Sequence, residues 1–86
     1  MEEIKKLLDA SYNEIVSPLE NYSGDTRNIS GMMEYMTLLG DVMIKFAEVM
    51  NEHYKNVQIN NPDKKEETGN YIKELYNKII STYKPK

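Results

Sequence analysis

The sequence predicts an all-α fold, a three-helix bundle with a long central helix, completed by a homodimer or partner interface. Three observations carry this. Apolar residues recur at steps of three and four through three separate stretches, the period of an α-helix. No stretch alternates apolar and polar residues for the length of a strand. The middle stretch holds an unbroken seam much longer than the other two. At 86 residues the chain is one domain, residues 1–86.

In the first stretch, Ile4, Leu7, Leu8, Tyr12, Ile15, Val16 and Leu19 follow helical spacing, with Glu3, Lys6, Asn13 and Glu14 largely on the other side. This predicts a helix over residues 2–17. Pro18 disfavours helix at Ser17 and removes a backbone donor, so the helix is expected to end or kink there. Ser17 as cap, Pro18 at the first position and Glu20 reaching back then predict a short helical turn over residues 17–22. Residues 21–25, Asn-Tyr-Ser-Gly-Asp, read as a loop.

The middle stretch predicts a helix over residues 26–56. Ile29, Met32, Met36, Leu39, Met43, Phe46, Met50, His53 and Val57 alternate steps of three and four, a heptad seam with Ile29 at a and Met32 at d. Tyr35, Val42 and Val49 flank it on the g side; Met33, Gly40, Ala47 and Tyr54 flank it on the e side. Polar residues gather at f, where Glu34, Asp41, Glu48 and Lys55 stand. Such a helix has more than half its girth to hide. Gly40 costs about 1 kcal/mol against Ala in a helix interior, which a close helix crossing would explain.

Residues 58–66 are polar and without apolar period, and read as a linker. Asn61-Pro62 there has the form of a cap and first helical residue. Tyr71, Ile72, Leu75, Tyr76, Ile79, Ile80 and Tyr83 predict a third helix over residues 67–84, weakened at Gly69. Lys84 and Lys86 suit its C-terminus, and Pro85 closes it.

Composition narrows the function classes. The formal net charge is -3, and Arg27 is the only arginine. Phosphate binding draws on basic side chains, so neither nucleic acid nor an anionic membrane surface is expected as a partner. With Cys 0, a disulfide framework, a thiolate metal site and a cysteine nucleophile are all excluded. The N-terminal residues hold no apolar signal core, and no apolar run approaches the roughly 20 residues of a membrane span, so a cytoplasmic location is expected. Lys, Asn, Ile and Tyr, which have AT-rich codons, are plentiful, an association with a low-GC bacterium or a phage of one.

Candidates for chemistry are few. His53, the single imidazole, sits on the seam near the helix end, where a half-buried side chain is the simpler expectation than a pH switch. Glu34, Asp41 and Glu48 lie on one line of the helix about 10 Å apart, too far for one metal or a shared proton. No catalytic residue, metal ligand or cofactor site is expected, and the chain is not expected to be an enzyme. Five of the six Met lie on the middle helix, and Met and Tyr adapt well to a partner's surface. The expected interface is Met32, Met36, Leu39, Met43, Phe46, Met50 and His53, with Tyr35 and Tyr54. The expected partner is another protein or the chain itself, most simply as a two-fold homodimer. The function expected is a small acidic interaction module, an adaptor, inhibitor or small chaperone of phage or mobile-element type; the alternative is an assembly subunit joining through the same faces.

Overall fold

The computed structural model describes residues 1–83. Three helices follow one another, α1 (Glu2–Glu20), α2 (Ile29–Asn60) and α3 (Lys65–Tyr83), with a single 3-10 turn at Pro62–Lys64 before the last. Helix α1 meets α3 start to start and end to end: Thr68 reaches Met1, Tyr71 reaches Asp9 and Tyr83 reaches Glu20. The two are therefore parallel. Helix α2 runs the other way between them, with His53 beside Ser11 and Tyr35 beside Tyr22. The outcome is a rod of 48 × 18 × 16 Å, its length that of α2. The bundle with a long central helix is the fold the periodicity predicts.

The core is the inward stripe of each helix. Leu8, Tyr12, Ile15, Val16 and Leu19 come from α1, Val42, Phe46 and Met50 from α2, and Leu75, Ile79 and Tyr83 from α3. Leu8 and Ile79 are fully shielded from solvent. Each such side chain contributes about 1.5–3 kcal/mol by leaving water.

The boundaries of α1 and α2 differ from the expected ones at three places, each for a local reason. Helix α1 does not stop at Ser17, and no separate turn over residues 17–22 forms; the helix runs through Pro18 to Glu20. Pro18 has no N–H to give the carbonyl of Glu14. The Ser17 hydroxyl donates to that carbonyl instead, at 2.8 Å. Burial of Leu19 then holds the last turn against the core. Helix α2 starts at Ile29 rather than residue 26 because Asn28 caps it, its side-chain oxygen accepting from the Gly31 amide at 2.7 Å. It continues to Asn60, past residue 56, because Val57 is buried.

The expected linker over residues 58–66 is largely helical. Only Asn61 lies outside a helical element there, and α3 begins at Lys65. Its anchor is Thr68, wholly buried, whose hydroxyl donates to the Lys64 carbonyl at 2.8 Å. Gly69 fits because the Tyr54 ring crosses beside it, where a Cβ would stand 3.3 Å from the ring edge. The expected end of the third helix at residue 84, with Lys84, Pro85 and Lys86, lies outside the described residues.

The heptad seam of α2 does not stay on one side. Along the a line, Ile29 is 83% exposed and Met36 53%, Met43 is half-buried, and Met50 and Val57 are 2% and 7% exposed. A straight α-helix turns a seven-residue repeat by about 20° per heptad. Over four heptads the line therefore swings from solvent into the core. Helices α1 and α3 each have 19 residues against 32 in α2, and they cover its inner face but not this drifting edge.

Candidate protein interface

The seam's uncovered portion forms an apolar strip. On α2 it carries Met33, Met36, Gly40, Met43 and Ala47, all exposed except the half-buried Met43. Across a groove, α3 adds Ile72, Tyr76 and Ile80, at helical steps of four. The floor of the groove is made by edges of Phe46 and Met50, whose side chains otherwise belong to the core. Tyr76 lies over Phe46 with ring centroids 6.3 Å apart. The groove closes toward Tyr54, Asn51 and Gly69.

Gly40 stands at the middle of the strip. A Cβ there would meet nothing within 4 Å, so the close crossing that would explain this glycine is not made inside the chain. Glu34, Asp41 and Glu48, all exposed, form a separate line about 100° round α2 from Met33, Gly40 and Ala47, with Thr37 and Ile44 between. Among the described residues the one ion pair is Arg27 with Asp25 at 3.1 Å. Glu34 accepts a hydrogen bond from the Tyr22 hydroxyl at 3.2 Å.

The residues expected at an interface divide among three settings. Met36 is open to solvent; Met32, Leu39 and Met43 are half-buried along the strip's inner margin. Phe46 and Met50 pack inward. Tyr35, His53 and Tyr54 are held by intrachain contacts. Tyr35 donates to the Tyr83 carbonyl at 2.7 Å, and Tyr54 lies against Gly69. His53 pairs through Nε2 with the Ser11 hydroxyl at 2.9 Å.

The Ser11–His53 pair has the geometry of a nucleophile and its base, but its surroundings do not supply the rest. Both residues lie inside helices, where neighbouring backbone N–H groups are committed to the helical ladder and cannot form an oxyanion hole. Among the described residues no carboxylate bonds the ring's other nitrogen. The pair satisfies two polar groups at the α1–α2 contact.

Two further polar clusters tie α1 to α3. The Tyr71 hydroxyl donates to Asp9, which together with burial pushes its pKa up to about 12. The Lys5 ammonium stands over the same ring, 5.3 Å from its centre. At the other end Tyr83 donates to Glu20; burial, then that carboxylate, raises its pKa. Tyr12 and Tyr35 are raised for the same two reasons. The Tyr12 hydroxyl is the one buried side-chain polar atom without a partner among the described residues. No group of three or more His, Cys, Asp or Glu among the described residues is placed to hold a metal ion.

Sequence reasoning missed Ile44 beside the strip and the α3 bank of Ile72, Tyr76 and Ile80. The signal was present in the width of the third helix's apolar face. Leu75 and Ile79 already fill one face, and Ile72, Tyr76 and Ile80 extend it further than a single neighbour can cover. Comparison of the chain with protein-family models, with curated proteins and with solved structures finds no match in any of the three. No helix among the described residues is long and apolar enough to cross a membrane.

Proposed function

We propose that the chain is a small acidic helical interaction module, an adaptor, inhibitor or small chaperone, acting through its apolar Met/Tyr-rich helical surface. One observation carries the reading: Met33, Met36 and Ala47 on α2 and Tyr76 and Ile80 on α3 are exposed, and Met43, Ala47, Ile72 and Tyr76 line an apolar groove between the two helices. Exposed apolar strips beside a groove are where partner helices dock. Met supports this use, because its flexible thioether side chain moulds to different partners. A cytoplasmic setting fits the absence of Cys, and the abundance of Lys, Asn, Ile and Tyr fits a phage or mobile element of a low-GC bacterium.

The test is capture by the intact chain from host lysate, with a Met36→Gln/Ile80→Gln variant as comparison. Both positions are exposed, so the variant keeps its helicity. A partner that the parent retains and the variant loses supports the reading. Equal retention by both contradicts it.

A second reading, self-association as an assembly subunit, is favoured by the two ends of α2. Ile29 and Ile59 are 83% and 76% exposed at opposite tips of the rod. End-to-end contacts there would cover apolar surface without a foreign partner and leave each copy open to the next. Sedimentation velocity separates the readings: a binding module stays a small closed species, whereas an assembly subunit grows with concentration.

A further inference from the structure

We propose that the thioethers of Met32, Met33 and Met36 form a binding site for a soft monovalent cation of the copper(I) class. Three of the six Met fall within one short stretch near the start of α2. Met33 is 61% exposed and Met36 53%, so core packing does not account for a thioether at either; Met32 beside them is half-buried. Viewed down the helix, Met36 lies between the other two, about 40° from Met32 and about 60° from Met33. It stands one turn further along, and helical side chains lean back toward the N-terminus. The Met36 side chain is thereby carried over the turn that holds Met32 and Met33. Residues three and four apart on a helix have Cβ atoms about 5–6 Å from each other. The unbranched, freely rotating Met side chain is long enough to close that gap and bring the three sulfurs to one point.

The donor set selects the ion. Thioether sulfur is a neutral, polarizable donor that suits copper(I), whereas calcium and magnesium take oxygen. Harder metals have no cluster of three or more His, Cys, Asp or Glu among the described residues. With Cys 0, no thiolate competes for a soft cation. The single imidazole, His53, lies roughly 25 Å further along α2 by the helical rise. Met43 is half-buried and one heptad beyond Met36, and Met50 is 2% exposed in the core, so neither joins the cluster. Between Arg27 and Lys45 the chain has no basic residue to repel a cation. The site stands whether or not a protein docks on the strip.

The experiment titrates the full chain with silver nitrate in chloride-free buffer, silver(I) being a redox-inert cation of the same soft class. Methyl NMR of the methionines locates the site, calorimetry gives the affinity and circular dichroism follows the fold. The methyl resonances of Met32, Met33 and Met36 are expected to move together and to finish near one equivalent, with those of Met43 and Met50 unmoved. Excess zinc is expected to leave them shifted. Met33→Leu/Met36→Leu keeps the strip apolar and removes only the donors. Its affinity for silver should fall at least about tenfold, since loss of even an outer partner of a metal ligand costs that much. Should the pair lose helicity, Met36→Leu alone replaces it with the same expectation. Four results each overturn the proposal: first movement at the His53 ring, shifts spread equally over all the methionines, an affinity that the Leu variant leaves unchanged, or no response to silver at all.

Discussion

Two glycines on α2 show how much one Cβ decides. At Gly31, in the first turn, a Cβ would run into the Asp25 carbonyl, a backbone atom that cannot move aside cheaply. At Gly40 it would enter open space. Replacement by Ala should therefore have opposite signs at the two sites. Gly40→Ala is expected to stabilise the chain by about 0.5–1 kcal/mol, through helix propensity alone. Gly31→Ala is expected to destabilise it by about 1–3 kcal/mol, because displacement of the loop outweighs the same gain. Urea denaturation of the two variants checks both signs. Tyr71 makes a second prediction at this scale. Its folded-state pKa, near 12, lies above the ordinary value of 10.0. The neutral phenol is thus the form the fold prefers, and its contribution is complete below pH 10 and lost as pH rises through 12. Tyr71→Phe should accordingly be less stable than the parent near neutrality, and the gap should close above pH 10 when the two are compared by urea denaturation across alkaline pH.

The elements were legible where periodicity was strong and hidden where a single polar contact decided. Apolar spacing located all three helices and ranked α2 as the longest. It could not show that Ser17 would fill the hydrogen bond that Pro18 leaves open, so α1 was expected to end early. Nor could it show Thr68 as a buried anchor, because a lone Thr among Glu, Glu and Gly has no apolar period. The start of α2 turns on Asn28, whose side chain takes up the Gly31 amide. Asn28→Ala should cost about 1 kcal/mol and fray the first turn, read as faster amide exchange at Ile29, Ser30 and Gly31 than in the parent. A loss confined to those amides, with protection near Phe46 unchanged, is the expected pattern.

At the scale of the whole rod, the decisive quantity is the mismatch between a seven-residue repeat and the 3.6-residue turn of an α-helix. The sequence shows the repeat plainly, and the expectation of uncovered apolar girth followed from it. Which part stays uncovered was not legible, since that depends on how far a straight helix rotates the repeat past two short neighbours. Hence Phe46 and Met50 lie in the core while Met33 and Met36, on the same long stripe, face solvent. The α3 bank, Tyr76 with Ile80, was signalled by the width of the third helix's apolar face, but which α2 residues stand opposite it was not. The acidic line of Glu34, Asp41 and Glu48 is exposed along its whole length.

Methionine oxidation by dilute peroxide, resolved residue by residue in a mass spectrometer, tests the uncovered strip most directly, because oxidation rate follows solvent access. In the intact chain at high dilution, Met33 and Met36 should oxidise at least about tenfold faster than Met50, with Met43 between. Rates for Met33 and Met36 as slow as that of Met50 would mean that the strip is already sheathed, and would contradict the account.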